Sequence, residues 1–74
     1  GQYKTLTITN RQFIFERYYN NERILILINI DDNYHEAWFN ANADNAIDLI
    51  NNKNIKLNGS YNLEPNSVNI FKLI

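Results

Sequence analysis

Few side chains in this sequence have the type and spacing that chemistry requires. Asp31 and Asp32 are adjacent. On an extended backbone neighbours point to opposite faces, so the pair cannot flank one substrate bond from two sides as paired carboxylates must. With Asn33 they read instead as a turn. The same three oxygen-bearing side chains could touch calcium, but the spaced acidic loop and its glycine are absent. His35 is the single histidine and cysteine is absent, so no nucleophile–base pair is assembled. A solvated strand-edge histidine is the expectation. Asn58-Gly59-Ser60 formally fits a glycosylation acceptor. A tight hairpin explains it better. The sequence therefore offers no catalytic residue, no cofactor-binding residue and no metal ligand set.

Aromatic side chains are the other candidates, because a flat exposed ring can stack on a sugar. Beside four phenylalanines the chain has Tyr3, Tyr18, Tyr19, Tyr34, Trp38 and Tyr61. Phe13, Phe15, Phe39 and Phe71 are expected in the core. If Ala37 and Phe39 face inward, the period of two turns Trp38 outward. An outward Trp38 has three possible roles. It packs on another domain, it lies over its own sheet, or it forms a carbohydrate platform with Tyr34 or Tyr18. Trp38, Tyr34 and Tyr18 are thus the candidate contacts to carbohydrate or to a neighbouring domain.

The elements that must position these rings are strands separated by Asn-rich turns. Thr5 to Thr9 alternates threonines with Leu6 and Ile8. Residues 12–19 follow, with Phe13, Phe15 and the Arg17 stem sharing a face. Asn20-Asn21-Glu22 is a turn, since Asn tolerates the left-handed backbone of tight hairpins. Ile24–Ile28 is a continuous apolar run of strand length, three of its five residues β-branched on the pattern of a buried strand. Strands are expected at 35–39, 46–50, 55–57, 61–63 and 68–73, with a polar loop at 40–45. Asn58-Gly59 is the preferred pair for a type I′ hairpin between 55–57 and 61–63. Pro65 interrupts the chain before the last strand. Seven to eight short strands with regular turns predict an all-β fold: a small antiparallel β-sandwich with hairpin and Greek-key-like connections.

Size and charge narrow the function classes. Seventy-four residues make a single domain, 1–74, whose core is small for its surface. With no cysteine, its stability must come from apolar packing, a partner, or both. A net charge of −1 with scattered Lys and Arg excludes the basic stripe of a nucleic-acid binder. No apolar run is long enough for a membrane-spanning helix, and no secretory leader pattern opens the chain. The lack of Met and the abundance of Asn, Ile and Lys point to a piece of a longer protein from an A/T-rich bacterium. A cytoplasmic location is favoured over secretion. The apolar run adds a physical hint. A sandwich strand hides one face and wets the other, which gives alternation. Ile24–Ile28 does not alternate, so Ile24, Ile26 and Ile28 are expected to form an apolar face that leans on a larger body.

The order of residues resembles a known family. Gly1-x-Tyr3, then Phe13-Ile14-Phe15-Glu16-Arg17, then Ile24-Leu25-Ile26-Leu27-Ile28-Asn29 resembles the C-terminal β-sandwich of α-amylase-family glycoside hydrolases, of the neopullulanase, cyclomaltodextrinase and oligo-glucosidase types. Asp48-Leu49-Ile50 resembles the family's Asp-Leu-Leu, and Leu63-Glu64-Pro65-Asn66-Ser67-Val68 its closing strand. Asn51-Asn52 departs from the usual Thr-Gly turn, and Trp38 stands where a smaller residue is common. The resemblance implies a non-catalytic domain that caps and stabilises a catalytic (β/α)8 barrel of the same chain. The parent enzyme would act on α-glucans with carboxylates on that barrel. It implies no cofactor. The alternative is a stand-alone or appended carbohydrate-binding module that stacks starch-like sugars on exposed aromatics.

Overall fold

The computed structural model describes residues 2–39, 41–57 and 59–74. Eight strands form among them: β1 (Gln2–Ile8), β2 (Gln12–Tyr19), β3 (Glu22–Asn29), β4 (His35–Trp38), β5 (Asn45–Asp48), β6 (Lys53–Lys56), β7 (Ser60–Leu63) and β8 (Ser67–Leu73). A six-stranded antiparallel sheet has the order β1-β2-β3-β8-β5-β6, and β4 pairs with β7 in a two-stranded sheet. This is the small all-β sandwich expected from the turn spacing.

Asparagine supplies the sharp corners. Asn20, Asn21, Asn42, Asn52 and Asn66 all have positive φ, a region that Asn tolerates better than other non-glycine residues. Between the paired Tyr19 and Glu22, Asn20-Asn21 makes a two-residue loop with φ of 51° and 64°. That is the signature of a type I′ hairpin, whose twist matches its strands.

Register decides what each face carries, because paired residues on neighbouring strands share a face. Facing the small sheet, one row runs Glu16–Leu25–Phe71–Asp48–Lys53 across five strands, and another runs Ile14–Leu27–Asn69. Ile14, Leu25, Leu27 and Phe71 are fully buried there, under Ala37 and Leu63 of the small sheet. Tyr61 of β7 meets Phe71 edge-on, ring centroids 5.0 Å apart.

Three expectations are corrected. Phe13 and Phe15 do not enter the core, although Phe39 and Phe71 do. The inward positions of β2 belong to Gln12 and Ile14, and Phe13 and Phe15 lie half-buried on the opposite face. Gln12 is held there because its Nε2 donates to buried Asn29 Oδ1 at 3.0 Å, while its Oε1 accepts from Thr9 Oγ1 at 2.6 Å. The strand expected at 46–50 ends at Asp48. The Asp48 carboxylate accepts the Ile50 and Asn51 N–H groups and bends the chain into a turn, which leaves Leu49 and Ile50 exposed. Finally, β6 and β7 do not form a hairpin. β6 pairs with β5 and β7 with β4, so the connection between them crosses from one sheet to the other. Asn58, half of the expected turn pair, lies outside the described residues.

Candidate binding surfaces

The outward face of the large sheet is largely apolar across β1, β2, β3 and β8, with Arg17 and Lys72 toward one end. One row runs Ile8–Phe13–Ile28–Val68, the next Thr5–Phe15–Ile26–Ile70, and a third Arg17–Ile24–Lys72–Ile47. Ile24, Ile26 and Ile28 are half-buried by their neighbours, in contrast to the sealed Leu25 and Leu27 on the other side of the same strand. Ile8 and Val68, at the ends of the first row, are exposed. Contiguous apolar surface of this kind is uncommon on a protein that has no partner. Toward the hairpin end the patch passes into a shallow cleft of about 300 Å³ between Arg17, Tyr19, Glu22 and Ile24, beside which Lys72 pairs with Glu22 at 3.3 Å.

The two-stranded sheet presents a different outer face. Ala37 is buried, so Glu36 and Trp38 point away from the core, opposite Asn62 and Ser60 of β7. Trp38 is 68% exposed and Tyr34, just before β4, is 66% exposed. The candidate contact residues therefore separate. Ile24, Ile26 and Ile28 belong to one outer surface of the sandwich and Trp38 to the other, while Tyr34 is exposed in the segment that leads into β4. Tyr18 joins neither. It pairs with Arg23 in the inward row of the large sheet, exposed where the small sheet no longer covers it.

Two polar clusters go beyond what the sequence suggests. Arg23 grips Glu16 through Nε and Nη2, both at 2.8 Å, and also donates to the carbonyls of Ala41 and Asn42. The Arg23 hydrogen bond holds the Glu16 carboxyl below its ordinary range, and the carboxylate raises Arg23 in return. The available signal was a pair of opposite charges on either side of the Asn20-Asn21 turn. The second cluster surrounds buried Asp48, whose Oδ2 accepts from Asn51 Nδ2 at 2.9 Å and whose Oδ1 accepts the two backbone N–H groups. The Asn51 amide, those N–H groups and nearby Lys53 lower its pKa against the opposing effect of burial. Asp48, Tyr61, Asn62, Glu64 and Asn69 line a polar cleft of about 240 Å³ at the open side of the sandwich. Burial, then the Asp48 and Glu64 charges, push the Tyr61 phenol up.

The acidic turn residues and His35 are engaged within the fold. Asp31 accepts from Asn33 inside its turn, and Asp32 accepts from Asn66 Nδ2 at 2.9 Å, which ties two turns together. Half-buried His35 pairs with Leu63 in the small sheet. Among the described residues no three His, Asp or Glu side chains gather as metal ligands would. The arrangement can present surfaces and hold them rigid.

A solved structure has this architecture. The crystal structure of a glutamate-to-glutamine variant of AmyP in complex with maltotriose contains a segment that superposes with a TM-score of 0.83 at 15% sequence identity. The fold is shared with AmyP. The match covers 99% of this chain and 16% of AmyP, so the chain spans about one sixth of that protein's length. AmyP is an α-amylase-family enzyme, and at 15% identity the likeness shows a shared fold. No family model and no curated protein sequence matches the chain.

Proposed function

We propose that this chain is the non-catalytic C-terminal β-sandwich of an α-amylase-family glycoside hydrolase that acts on α-glucans. In this reading it caps and stabilises the catalytic (β/α)8 barrel of the same polypeptide. The observation that carries it is the apolar outer face of the large sheet, centred on Ile26 between Ile24, Ile28 and Ile70. A lone sandwich leaves the apolar side chains on the outer face of its central strand half in water, whereas a sandwich against a barrel can bury them more fully. The fold shared with a segment of AmyP supports the same role. The maltotriose in that structure supports an α-glucan as the substrate class.

The test is association in trans. The 74-residue chain and the catalytic region of its longer protein are produced separately and mixed. Co-elution is expected, and so is a higher unfolding temperature for the catalytic region. Ile26→Asp abolishes both while the variant chain alone keeps its own far-ultraviolet spectrum. Failure of the wild-type pair to associate overturns the reading.

A further inference from the structure

We infer that the catalytic domain meets the large sheet with an apolar surface over Ile26 and Ile28 and with carboxylates over Arg17, Lys72 and Lys56. This rests on the docking proposed above, and it adds the chemistry of the partner surface and the direction in which the sandwich sits on it. The outer face changes character along its strands. Its Ile8–Phe13–Ile28–Val68 and Thr5–Phe15–Ile26–Ile70 rows carry no charge. Two residues nearer the β2–β3 hairpin, Arg17 and Lys72 flank Ile24. Lys56 lies one step further along, on β6 opposite Asn45, whose outward side is fixed by the buried Ala46 next to it. Three of the seven Lys and Arg residues thus stand at this end of the face, against one of the eight Asp and Glu residues, Glu22. The other acids lie on the inward rows, on the small sheet or in turns and loops. A chain of net charge −1 therefore turns a net positive end of its large sheet outward.

Arg17 is the cation best placed to receive a carboxylate. It is exposed and makes no ion pair among the described residues, whereas Lys72 is already paired with Glu22 at 3.3 Å. It also forms one wall of the cleft of about 300 Å³ shared with Tyr19, Glu22 and Ile24. A carboxylate entering there meets a guanidinium able to bind it through two N–H groups at once. Other partners fit less well. A second copy related by a twofold axis would set the cationic ends against each other or lay each over the other's apolar rows. A phosphate backbone would leave the apolar rows uncovered. Anionic membranes attract clusters of about four to eight cations, and this end has three with an acid among them. The matching surface is a protein face with an apolar centre and Asp and Glu toward one rim.

Charge complementarity acts chiefly on the rate of encounter, whereas apolar contact holds the complex together. The association rate of the 74-residue chain with the catalytic region is therefore measured at low salt and at about 1 M salt, where the screening length falls to about 3 Å. The wild-type rate should fall about tenfold between the two. Arg17→Glu should lower the low-salt rate about tenfold and leave the high-salt rate near wild type. Glu22→Gln removes the acid from the cationic end and should raise the low-salt rate, whereas the loss of a merely structural partner for Lys72 would not. A wild-type rate indifferent to salt overturns the inference. So does a low-salt rate that Arg17→Glu leaves unchanged or raises, or a Glu22→Gln rate no higher than wild type. Wild-type binding to phosphatidylglycerol vesicles that Arg17→Glu abolishes would give the same charges a lipid partner and overturn it as well. In each of these cases association at about 1 M salt leaves the docking itself standing. A wild-type pair that fails to associate at either salt overturns both readings.

Discussion

Arg23 reaches across the β2–β3 hairpin and holds both carboxylate oxygens of Glu16, at 2.8 Å each, while its guanidinium also bonds the backbone of residues 41 and 42. One side chain thus ties the large sheet to the segment that leaves the small one. A bidentate, partly shielded pair of this kind is worth more than an ordinary surface ion pair. Arg23→Ala should lower stability by about 2 kcal/mol, and Arg23→Lys should recover only a fraction, since an ammonium cannot make the fork. Urea unfolding of the two variants checks this. Equal stability in wild type and Arg23→Ala would show that the fork is decorative.

Acid should destabilise the domain through two carboxylates. The Arg23 hydrogen bond lowers Glu16, and the Asn51 amide with two backbone N–H groups lowers Asp48. A depressed folded-state pKa contributes stability that is fully present above the unfolded value and is lost as pH falls through the folded one. The loss should therefore begin near pH 4, the ordinary carboxylate range, and continue below it. In Asp48→Asn the acid limb of the stability curve should flatten, because the group no longer titrates. Thermal melts from pH 7 to pH 2.5 measure it. A curve in Asp48→Asn as steep as wild type would remove Asp48 from this role.

The Asn20-Asn21 loop sets the register of the longest hairpin. Both residues hold positive φ, so a β-branched side chain at either is strained. Asn21→Val should destabilise by about 1–2 kcal/mol, whereas Asn21→Gly should be neutral or stabilising, since glycine adopts that conformation freely. Denaturation midpoints of the two variants decide it, and the opposite order would contradict the type I′ assignment.

How much of the fold is legible in the sequence depends on range. Turn chemistry is local, so the Asn pairs, the break at Pro65 and the strand count can be read directly. The face of each strand is not local. Phe13 and Phe15 look like core residues by type, yet the inward side of β2 is fixed by the Gln12–Asn29 hydrogen bond and by pairing with β3, seventeen residues away. The Asn58-Gly59 pair misleads for a similar reason. Its local preference is for a hairpin, but β6 finds its partner in β5 and β7 in β4. The lack of alternation at Ile24–Ile28 is informative because it concerns both faces at once and does not depend on choosing one. The clusters around Asp48 and Arg23 are short in range, with Asn51 three residues after Asp48 and Glu16 seven before Arg23, but side-chain hydrogen bonds of this kind leave no periodic trace.

The two sides of β3 should respond to truncation in opposite ways, and this is where fold and proposed role meet. Leu27 is sealed between the sheets, whereas Ile26, one residue earlier, is half-covered on the outer face. Removing a buried leucine side chain costs about 2–5 kcal/mol through lost transfer energy and the cavity left behind. A domain of this size has only about 4–11 kcal/mol in total, so Leu27→Ala should unfold a substantial share of the isolated chain. Ile26→Ala should cost about 1 kcal/mol or less in isolation, because part of that side chain already meets water. Against a catalytic domain the ranking of Ile26 changes. There the same truncation removes apolar area from the centre of the contact and should weaken association about tenfold or more. Unfolding of the isolated variants and their binding to the catalytic region, measured side by side, separate a strand that only builds a core from one that also faces a partner. If Ile26→Ala loses as much stability alone as Leu27→Ala, or loses no affinity in the complex, the outer face belongs to the sandwich itself.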